Sequence, residues 1–211
     1  MKKSPAPWTA AERKVFARLK TPLDVQGYLD GVVYSDDKFA RSPRSVMRDR
    51  LANCFDGALF AAAALRQLGH KPLLLDMRPD PTLDDDHVVA LFKQLGCWGS
   101  VGKSNFVGLR YREPIHRTVR EVVISYFNDY YNSLGDKTLR SFAGPVDLTK
   151  VDALEWMTRD ERLDEVGDYL NRARHVPIAS PKQIRRFAKM DKRSLEAGLL
   201  GSRPTGLFKV G

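Results

Sequence analysis

The stretch NCFDGALFAAAALRQLG, residues 53–69, decides the fold, together with KPLLLDM (residues 71–77) and HVVALF (residues 87–92). In the first stretch, apolar residues recur at steps of three and four: Cys54, Ala58, Ala61, Ala62, Leu65 and Leu68. That period predicts a helix from Cys54 to Leu68 with one buried stripe, and Gly69 is of the type that commonly follows a helix. The two apolar runs predict strands, the first of them buried on both faces.

Helix-start signals surround this centre. Thr9 and Glu12 have the capping-box spacing and predict a helix over residues 10–20, and Thr21-Pro22 predicts a second one that ends near Gly31. A short helix is expected around residues 45–51. Strands are expected at 98–101 and 106–111, and a helix is expected to begin at Pro114. Three further helix starts are predicted at Thr149, Thr158 and Ser180.

This order of elements predicts an α+β protein, with the Cys54 helix packed on a small antiparallel sheet and helical additions at both ends. We expect one domain over residues 1–211. It divides into an N-terminal helical extension (1–50), a core (51–112) and a C-terminal helical part (113–211).

The composition is that of an ordinary globular protein, with 43% hydrophobic and 29% charged residues among 211. No apolar run approaches the roughly 18 residues that span a bilayer, and no apolar stretch follows the basic start, so neither a membrane span nor a secretory signal is expected. Two cysteines form no disulfide framework, which favours the reducing cytoplasm. The sequence leaves the oligomeric state open.

The formal net charge of +9 is concentrated at the two ends, with +5 over residues 1–50 and +6 over residues 176–211. Basic ends are compatible with nucleic-acid binding, because lysine and arginine contact phosphates. No zinc-finger spacing or RNA-binding motif accompanies the charge, so nucleic acid remains an alternative and a solvated surface is favoured.

Two other motifs fail on spacing. Gly102-Lys103-Ser104 resembles part of a phosphate-binding loop, but five residues separate Gly96 from Gly102 where four are needed. The four histidines and two cysteines include no closely spaced pair of the kind that structural zinc sites use. Neither a metal nor a cofactor is expected.

Cys54 is the candidate nucleophile because it stands at the start of the long helix. A helix N-terminus stabilises a thiolate, and its free amides can serve as an oxyanion hole. The plainer interpretation is a small apolar filler. His87 opens the second strand after an acidic loop and is the candidate base, the plainer interpretation being a surface histidine.

From Asn53 through Gly69 to Pro72, and again from His87 to Trp98, the chain resembles the transglutaminase-like branch of the papain-type cysteine enzymes. The resemblance covers roughly residues 50–105. It implies acyl transfer at an amide, by peptide or isopeptide hydrolysis or by transamidation, with Cys54 as nucleophile, His87 as base, a protein or peptide substrate and no cofactor. The family's usual aspartate after the tryptophan is missing. Asn105 is the replacement that we expect to orient His87, with Ser104 as the second choice, and an inactive binding protein is the alternative.

Two segments outside the resemblance carry basic residues. Arg110, Arg112, His116 and Arg117 form a cluster that could clamp an anion, although pairing with nearby acids such as Glu113 and Glu121 is favoured. Pro181–Lys189 is predicted to be a helix that docks through Ile184 and Phe187, with Arg185, Arg186 and Lys189 facing outward.

Overall fold

The computed structural model describes residues 8–209, which form a mixed α+β fold. The helices are α1 (Ala10–Arg18), α2 (Pro22–Asp30), α3 (Pro43–Asp49), α4 (Cys54–Gln67), α5 (Val119–Tyr126), α6 (Leu163–Asn171), α7 (Pro181–Ile184) and α8 (Lys192–Gly198). The strands are β1 (Val33–Tyr34), β2 (Leu51–Ala52), β3 (Leu73–Pro79), β4 (His87–Gln94), β5 (Cys97–Val101), β6 (Arg112–His116), β7 (Leu139–Asp147) and β8 (Val176–Pro177). Two 3₁₀ segments cover Leu148–Leu154 and Pro204–Gly206.

Six strands form one antiparallel sheet in the order β6-β5-β4-β3-β7-β8, and β1 pairs with β2 in a separate parallel ribbon. The hairpin of β3 and β4 lies at the centre, with Met77 opposite His87 beside its connecting loop. The predicted α+β class with an antiparallel sheet is confirmed.

Helix α4 lies on one face of the sheet because alternate residues of β4 give that face its apolar surface. Val88, Ala90 and Phe92 belong to the same buried cluster as the alanines of α4. Val89 and Leu91 point to the opposite face and pack in a second cluster with residues of α5. The alanines of α4 are fully or almost fully buried, so the helix approaches the strand closely.

Two of the sequence expectations for residues 106–116 are wrong. No strand forms at 106–111, where the described chain turns, and the strand runs instead over Arg112–His116. Pro114 therefore lies inside β6 and does not open a helix; α5 begins at Val119, capped by Thr118. The physical reason is position, since β6 is an edge strand, where a residue without an amide hydrogen is tolerated.

The part beyond residue 113 is less helical than the sequence indicates, because β7 and β8 complete the sheet there. The start at Thr149 leads only to a 3₁₀ segment, and the one at Thr158 precedes α6, which begins at Leu163. The helix expected over Pro181–Lys189 ends at Ile184.

Phe187 nevertheless packs on the body, with its ring centroid 4.9 Å from that of Phe127. Lys189 pairs with Asp136 at 2.9 Å. The first residues of the sequence, including the basic start, lie outside the described range. Within residues 8–209, no helix has both the length and the apolar character required to cross a membrane.

Candidate functional site

The start of α4 is fixed by a capping box that leaves Cys54 as the first helical residue. Asn53 accepts a hydrogen bond from the Asp56 amide at 2.9 Å, and Asp56 accepts one from the Asn53 amide at 3.2 Å. The buried Asp56 carboxylate also accepts from the backbone amide of Arg41 at 2.7 Å. The first amides of a helix have no partner within it, and the amide of Phe55 interacts with the Cys54 thiol.

The Cys54 sulfur lies against the backbone at the beginning of β4. Its thiol donates to the Asp86 carbonyl oxygen at 3.5 Å. The amides of Val88 and Phe55 lower the pKa of this thiol, but burial outweighs them and raises the pKa to about 11. The helix N-terminus therefore favours the thiolate, as expected, but desolvation has the larger effect on the pKa of the Cys54 thiol. At neutral pH the thiol of Cys54 therefore carries its proton.

His87, the first residue of β4, is buried with 5% of its surface exposed. Its Nε2 lies 2.8 Å from the carbonyl oxygen of Leu109. Because a carbonyl can only accept, Nε2 carries the proton and Nδ1 of the neutral ring has a free lone pair. Burial lowers the pKa of His87 to about 4, so the ring is neutral at physiological pH. Tyr126 and Tyr130 pack edge-on against it, with centroids 6.4 and 6.3 Å away.

Strand alternation sets His87 on the same face as Val89, opposite to the face on which α4 packs. Both His87 and Cys54 nevertheless line one narrow cavity of about 50 Å³, because each stands at the end of its element, where the sheet stops. The structure thus brings the predicted nucleophile and base to a common cavity at the loop end of the β3–β4 hairpin.

Two larger cavities also reach Cys54. The first, of about 320 Å³, is bounded by Tyr34, residues 35–37 and the segment 205–207. The second, of about 470 Å³, lies between β4 and α6, and we call it the α6 cavity. Cys54 and Asp86 line all three spaces. The thiol therefore stands where a narrow space around the histidine meets two wider spaces around the helix start.

Asn105 lies in the narrow cavity, but its side chain is engaged elsewhere. Its Nδ2 donates to the Arg203 carbonyl at 2.9 Å, and its Oδ1 accepts from the Arg203 amide at 2.8 Å. Ser104, the second choice, lines the same cavity and accepts a hydrogen bond from the Phe106 amide at 3.0 Å. Within residues 8–209 the group on Nε2 of His87 is the backbone carbonyl of Leu109. A backbone group leaves no side-chain signal in a sequence, so sequence reasoning missed it.

The segment Arg203–Phe208, which we call the C-terminal strap, lines the narrow cavity and the cavity of about 320 Å³. Arg203 donates to the Tyr34 carbonyl at 2.9 Å. Gly206 lies so close to Tyr34 that an added Cβ would come within 2.9 Å of its ring. Gly206 and Phe208 line the narrow cavity beside His87. Nothing in the sequence pattern indicates that this segment returns to the cysteine.

The acidic loop before β4 surrounds the site without orienting His87. Asp84 accepts from the Thr138 hydroxyl at 2.7 Å, and Tyr130 donates to the Asp85 carbonyl at 3.0 Å. Burial raises the pKa of Asp84 to about 6, against the opposing hydrogen bonds from the Thr138 hydroxyl and the Asp85 amide. Burial also raises the pKa of Asp85 and of Asp86.

In the described chain, the other motifs found in the sequence make internal contacts that stabilise the fold. Lys103, from the incomplete phosphate-loop string, is buried and donates to the carbonyl oxygens of Leu29 (3.0 Å) and Val32. Among residues 8–209, no three histidine, cysteine, aspartate or glutamate side chains converge as a metal site would require.

The basic cluster pairs internally, as favoured, although not with Glu113. Arg110 binds Asp30 at 3.0 Å, and Arg112 binds Asp129 at 2.7 Å. The backbone amide of Arg117 donates to Glu121 at 2.8 Å. These partners lie far along the chain or in the next helix.

Comparison with protein-family models finds no match, and comparison with curated proteins finds none either. Among solved structures, the chain is similar to Legionella pneumophila LapG, with 15% sequence identity and a TM-score of 0.40 over 75% of this chain and 82% of LapG. It is also similar to EGTA-treated Legionella pneumophila LapG, with 16% identity and a TM-score of 0.38 over 81% of each chain.

Proposed function

We propose that this protein is a cysteine-dependent acyl-transfer enzyme that acts on amide bonds, with Cys54 as the nucleophile and His87 as the general base. The observation that carries the proposal is the shared cavity. The thiol at the start of α4 lies against the backbone of residues 86–88 and borders the same space as the imidazole. The resemblance of residues 50–105 to the transglutaminase-like, papain-type core agrees with these roles.

The tautomer of His87 suits a base. Nε2 donates to Leu109, which leaves Nδ1 as the atom that accepts a proton. We assign the orienting role to the Leu109 carbonyl, because both polar groups of Asn105 are bonded to Arg203. A carbonyl holds the ring and its tautomer without adding a charge. It would stabilise an imidazolium less than a carboxylate would.

In the first step, Nδ1 of His87 takes the thiol proton while the Cys54 sulfur bonds to the substrate carbonyl carbon. The carbonyl oxygen becomes an oxyanion, which the Cys54 backbone amide stabilises. As the tetrahedral intermediate collapses, the C–N bond breaks and the imidazolium gives its proton to the leaving amine, leaving a thioester on Cys54. Water or a second amine then attacks the thioester, again with His87 as base, and the thiol is regenerated.

The pKa values define which form of the pair is at rest. Burial raises the pKa of the Cys54 thiol to about 11 and lowers the pKa of the His87 imidazole to about 4. The ground state of the pair is therefore a neutral thiol beside a neutral imidazole. Proton transfer therefore accompanies attack on the substrate and does not precede it. A preformed thiolate–imidazolium pair is not needed for this mechanism.

The proposal is tested with p-nitrophenyl acetate as a small acyl donor. We expect a burst of nitrophenolate and an acetyl group that mass spectrometry locates on Cys54. Replacement of Cys54 by Ser should abolish the acetylated thiol, whereas Cys97→Ser, which alters the only other cysteine, should retain it. Absence of acylation at Cys54 in the folded protein would overturn the proposal.

A binding protein without catalysis is the second candidate, and a specific observation favours it. The C-terminal strap lines the cavity beside His87, and the thiol that would react is held protonated by burial. In that case the burst experiment gives no thioester, while peptide binding at the cleft persists. The nucleic-acid alternative rests on the basic ends of the chain, at residues 1–50 and 176–211, and stays a separate prediction.

A further inference from the structure

We propose that the cleft at Cys54 accepts a basic peptide, and that the α6 cavity holds one of its lysine or arginine side chains. The inference rests on the proposed function, since it names the substrate class of the same site. It is drawn from the charge, the shape and the unpartnered groups of the cavity walls.

The walls are acidic although the chain as a whole carries +9. Within the described chain, eight aspartates line the three spaces that meet at Cys54, against one lysine, Lys38: Asp36, Asp37, Asp76, Asp84, Asp85, Asp86, Asp164 and Asp168. A cleft lined by one sign of charge concentrates ligands of the opposite sign. A cationic ligand is therefore favoured at a site whose protein is otherwise basic.

Internal partners offset only part of this charge. Arg78 lies 3.1 Å from Asp76 and 3.7 Å from Asp86, so one guanidinium serves two carboxylates. Asp168 reaches Arg172 only at 3.9 Å, with both side chains mostly exposed. Among residues 8–209, Asp164 has no ion-pair partner within 4.0 Å. Asp164 and Asp168 thus leave negative charge on the α6 wall of the cavity, although Lys38 also lines it.

Asp76 supplies an independent observation. Its side chain is 2% exposed, and its Oδ2 accepts from His175 at 2.9 Å and from Arg78 at 3.1 Å. Its Oδ1 has no hydrogen-bond partner among the described residues. Because a buried carboxylate oxygen without a partner is costly, and Asp76 lines the α6 cavity, this residue is short of one donor. An ammonium or guanidinium group provides such a donor.

The shape of the cavity suits a long side chain with a charged end. Its volume of about 470 Å³ is bounded by Phe39, Phe55, Leu163 and Leu170 as well as by the aspartates. Lysine and arginine bury an aliphatic stem against apolar groups while the charged head seeks polar partners. The carboxylates are spread along the walls, and no three of them within residues 8–209 converge on a point as metal ligands would.

The chain itself places one arginine beside this cleft. Arg203, at the start of the C-terminal strap, contributes to lowering the pKa of Asp37, after the larger effects of Arg41 and Ser35. Asp37 and the strap line the same cavity next to Cys54. A guanidinium of the chain itself therefore lies within electrostatic range of an aspartate of this cleft, and it offsets part of that charge.

The test measures binding without chemistry, using the full chain with Cys54→Ala. Fluorescein-labelled pentapeptides that differ only at the central position, as lysine, norleucine or glutamate, are titrated by fluorescence anisotropy. We expect the lysine peptide to bind about tenfold more tightly than the norleucine peptide, which has the same stem without the charge, and the glutamate peptide to bind weakest. Equal affinities of the three peptides would overturn the inference.

A pair of variants on α6 locates the effect. Asp168→Asn removes an exposed carboxylate that faces the cavity and should reduce the preference for lysine severalfold. Glu165→Gln removes an exposed carboxylate of the same helix that pairs with Arg162 at 2.6 Å and lies outside the cavity lining. This control should keep the preference. An unchanged preference in Asp168→Asn would contradict the assignment to the α6 cavity.

The two proposals fail separately. If Cys54 is acylated by p-nitrophenyl acetate but the three peptides bind equally, the proposal of a basic substrate is wrong and the proposal of an acyl-transfer enzyme stands. If the Cys54→Ala protein prefers the lysine peptide but the unmodified chain is not acylated, the proposal of an acyl-transfer enzyme is wrong and the proposal of a basic-peptide site stands.

Discussion

Replacement of His87 by Gln is expected to remove a pH-dependent part of the stability of the fold. The buried imidazole has its pKa lowered from 6.5 to about 4. The unfolded chain takes up a proton as the pH falls through about 6.5, whereas the folded chain does so only near 4. The stability contributed by this group is therefore present above about pH 6.5 and is lost as the pH falls toward 4.

The magnitude follows from the two pKa values. Their difference corresponds to a total of about 3 kcal/mol at the acid limit. Between about pH 7.5 and about pH 4.5, the unmodified protein should lose about 2 to 3 kcal/mol more of its free energy of unfolding than His87→Gln loses. Gln is suitable because its amide nitrogen is also a donor for the Leu109 carbonyl, while it does not titrate.

Urea denaturation at the two pH values gives the free energies of unfolding. Val89→Ala is the matched control, because Val89 is fully buried on the same face of β4 and does not titrate. That variant should be destabilised about equally at both pH values. If His87→Gln shows the same pH dependence as the unmodified protein, His87 is not a buried neutral imidazole and the reasoning is refuted.

Two further predictions concern packing and access. Gly57→Ala should lower the free energy of unfolding by about 1 to 3 kcal/mol, because the added Cβ would lie 2.3 Å from the Cβ of Lys103. Gly167→Ala has open space around the added Cβ and should raise the free energy of unfolding by about 0.5 to 1 kcal/mol in the same denaturation assay. Removal of residues 203–211 should increase the alkylation rate of Cys54 by iodoacetamide at least about fivefold relative to Cys97, because water then reaches the thiol and its pKa falls. An unchanged ratio of the two rates would show that the C-terminal strap does not limit access.

The helix that begins at Cys54 was predictable because its signals are local. The capping residues Asn53 and Asp56 and the apolar period after Cys54 lie within one segment, and the structure has the helix at Cys54–Gln67. The hairpin of β3 and β4 was predictable for the same reason, since each strand is a short apolar run.

The strand β7 could not be predicted because its sequence argues against a central strand. Gly144-Pro145 interrupts it, and proline is normally confined to edges and bulges. The structure accommodates the pair at an irregularity, where the register against β3 shifts between Leu74 and Asp76. Only the tertiary pairing makes this segment a strand.

The positions of the two candidate side chains could be approached from the sequence. The helix start and the strand start indicated Cys54 and His87, and the structure gives them a common cavity. The hydrogen bond from His87 to Leu109 joins residues 22 positions apart through a backbone atom. The raised pKa of Cys54 depends on burial beneath distant segments. Neither property has a sequence signature.

The most direct test of the Cys54–His87 pair is the single-turnover rate of Cys54 acylation by p-nitrophenyl acetate, measured against pH. In the unmodified protein the rate should stay level down to about pH 5, because His87 is protonated only near its pKa of about 4. His87→Gln, shown to be folded by urea denaturation, should acylate at least about 100-fold more slowly. Acylation of Cys54 at the same rate in His87→Gln as in the unmodified protein would contradict the assignment of His87 as the base.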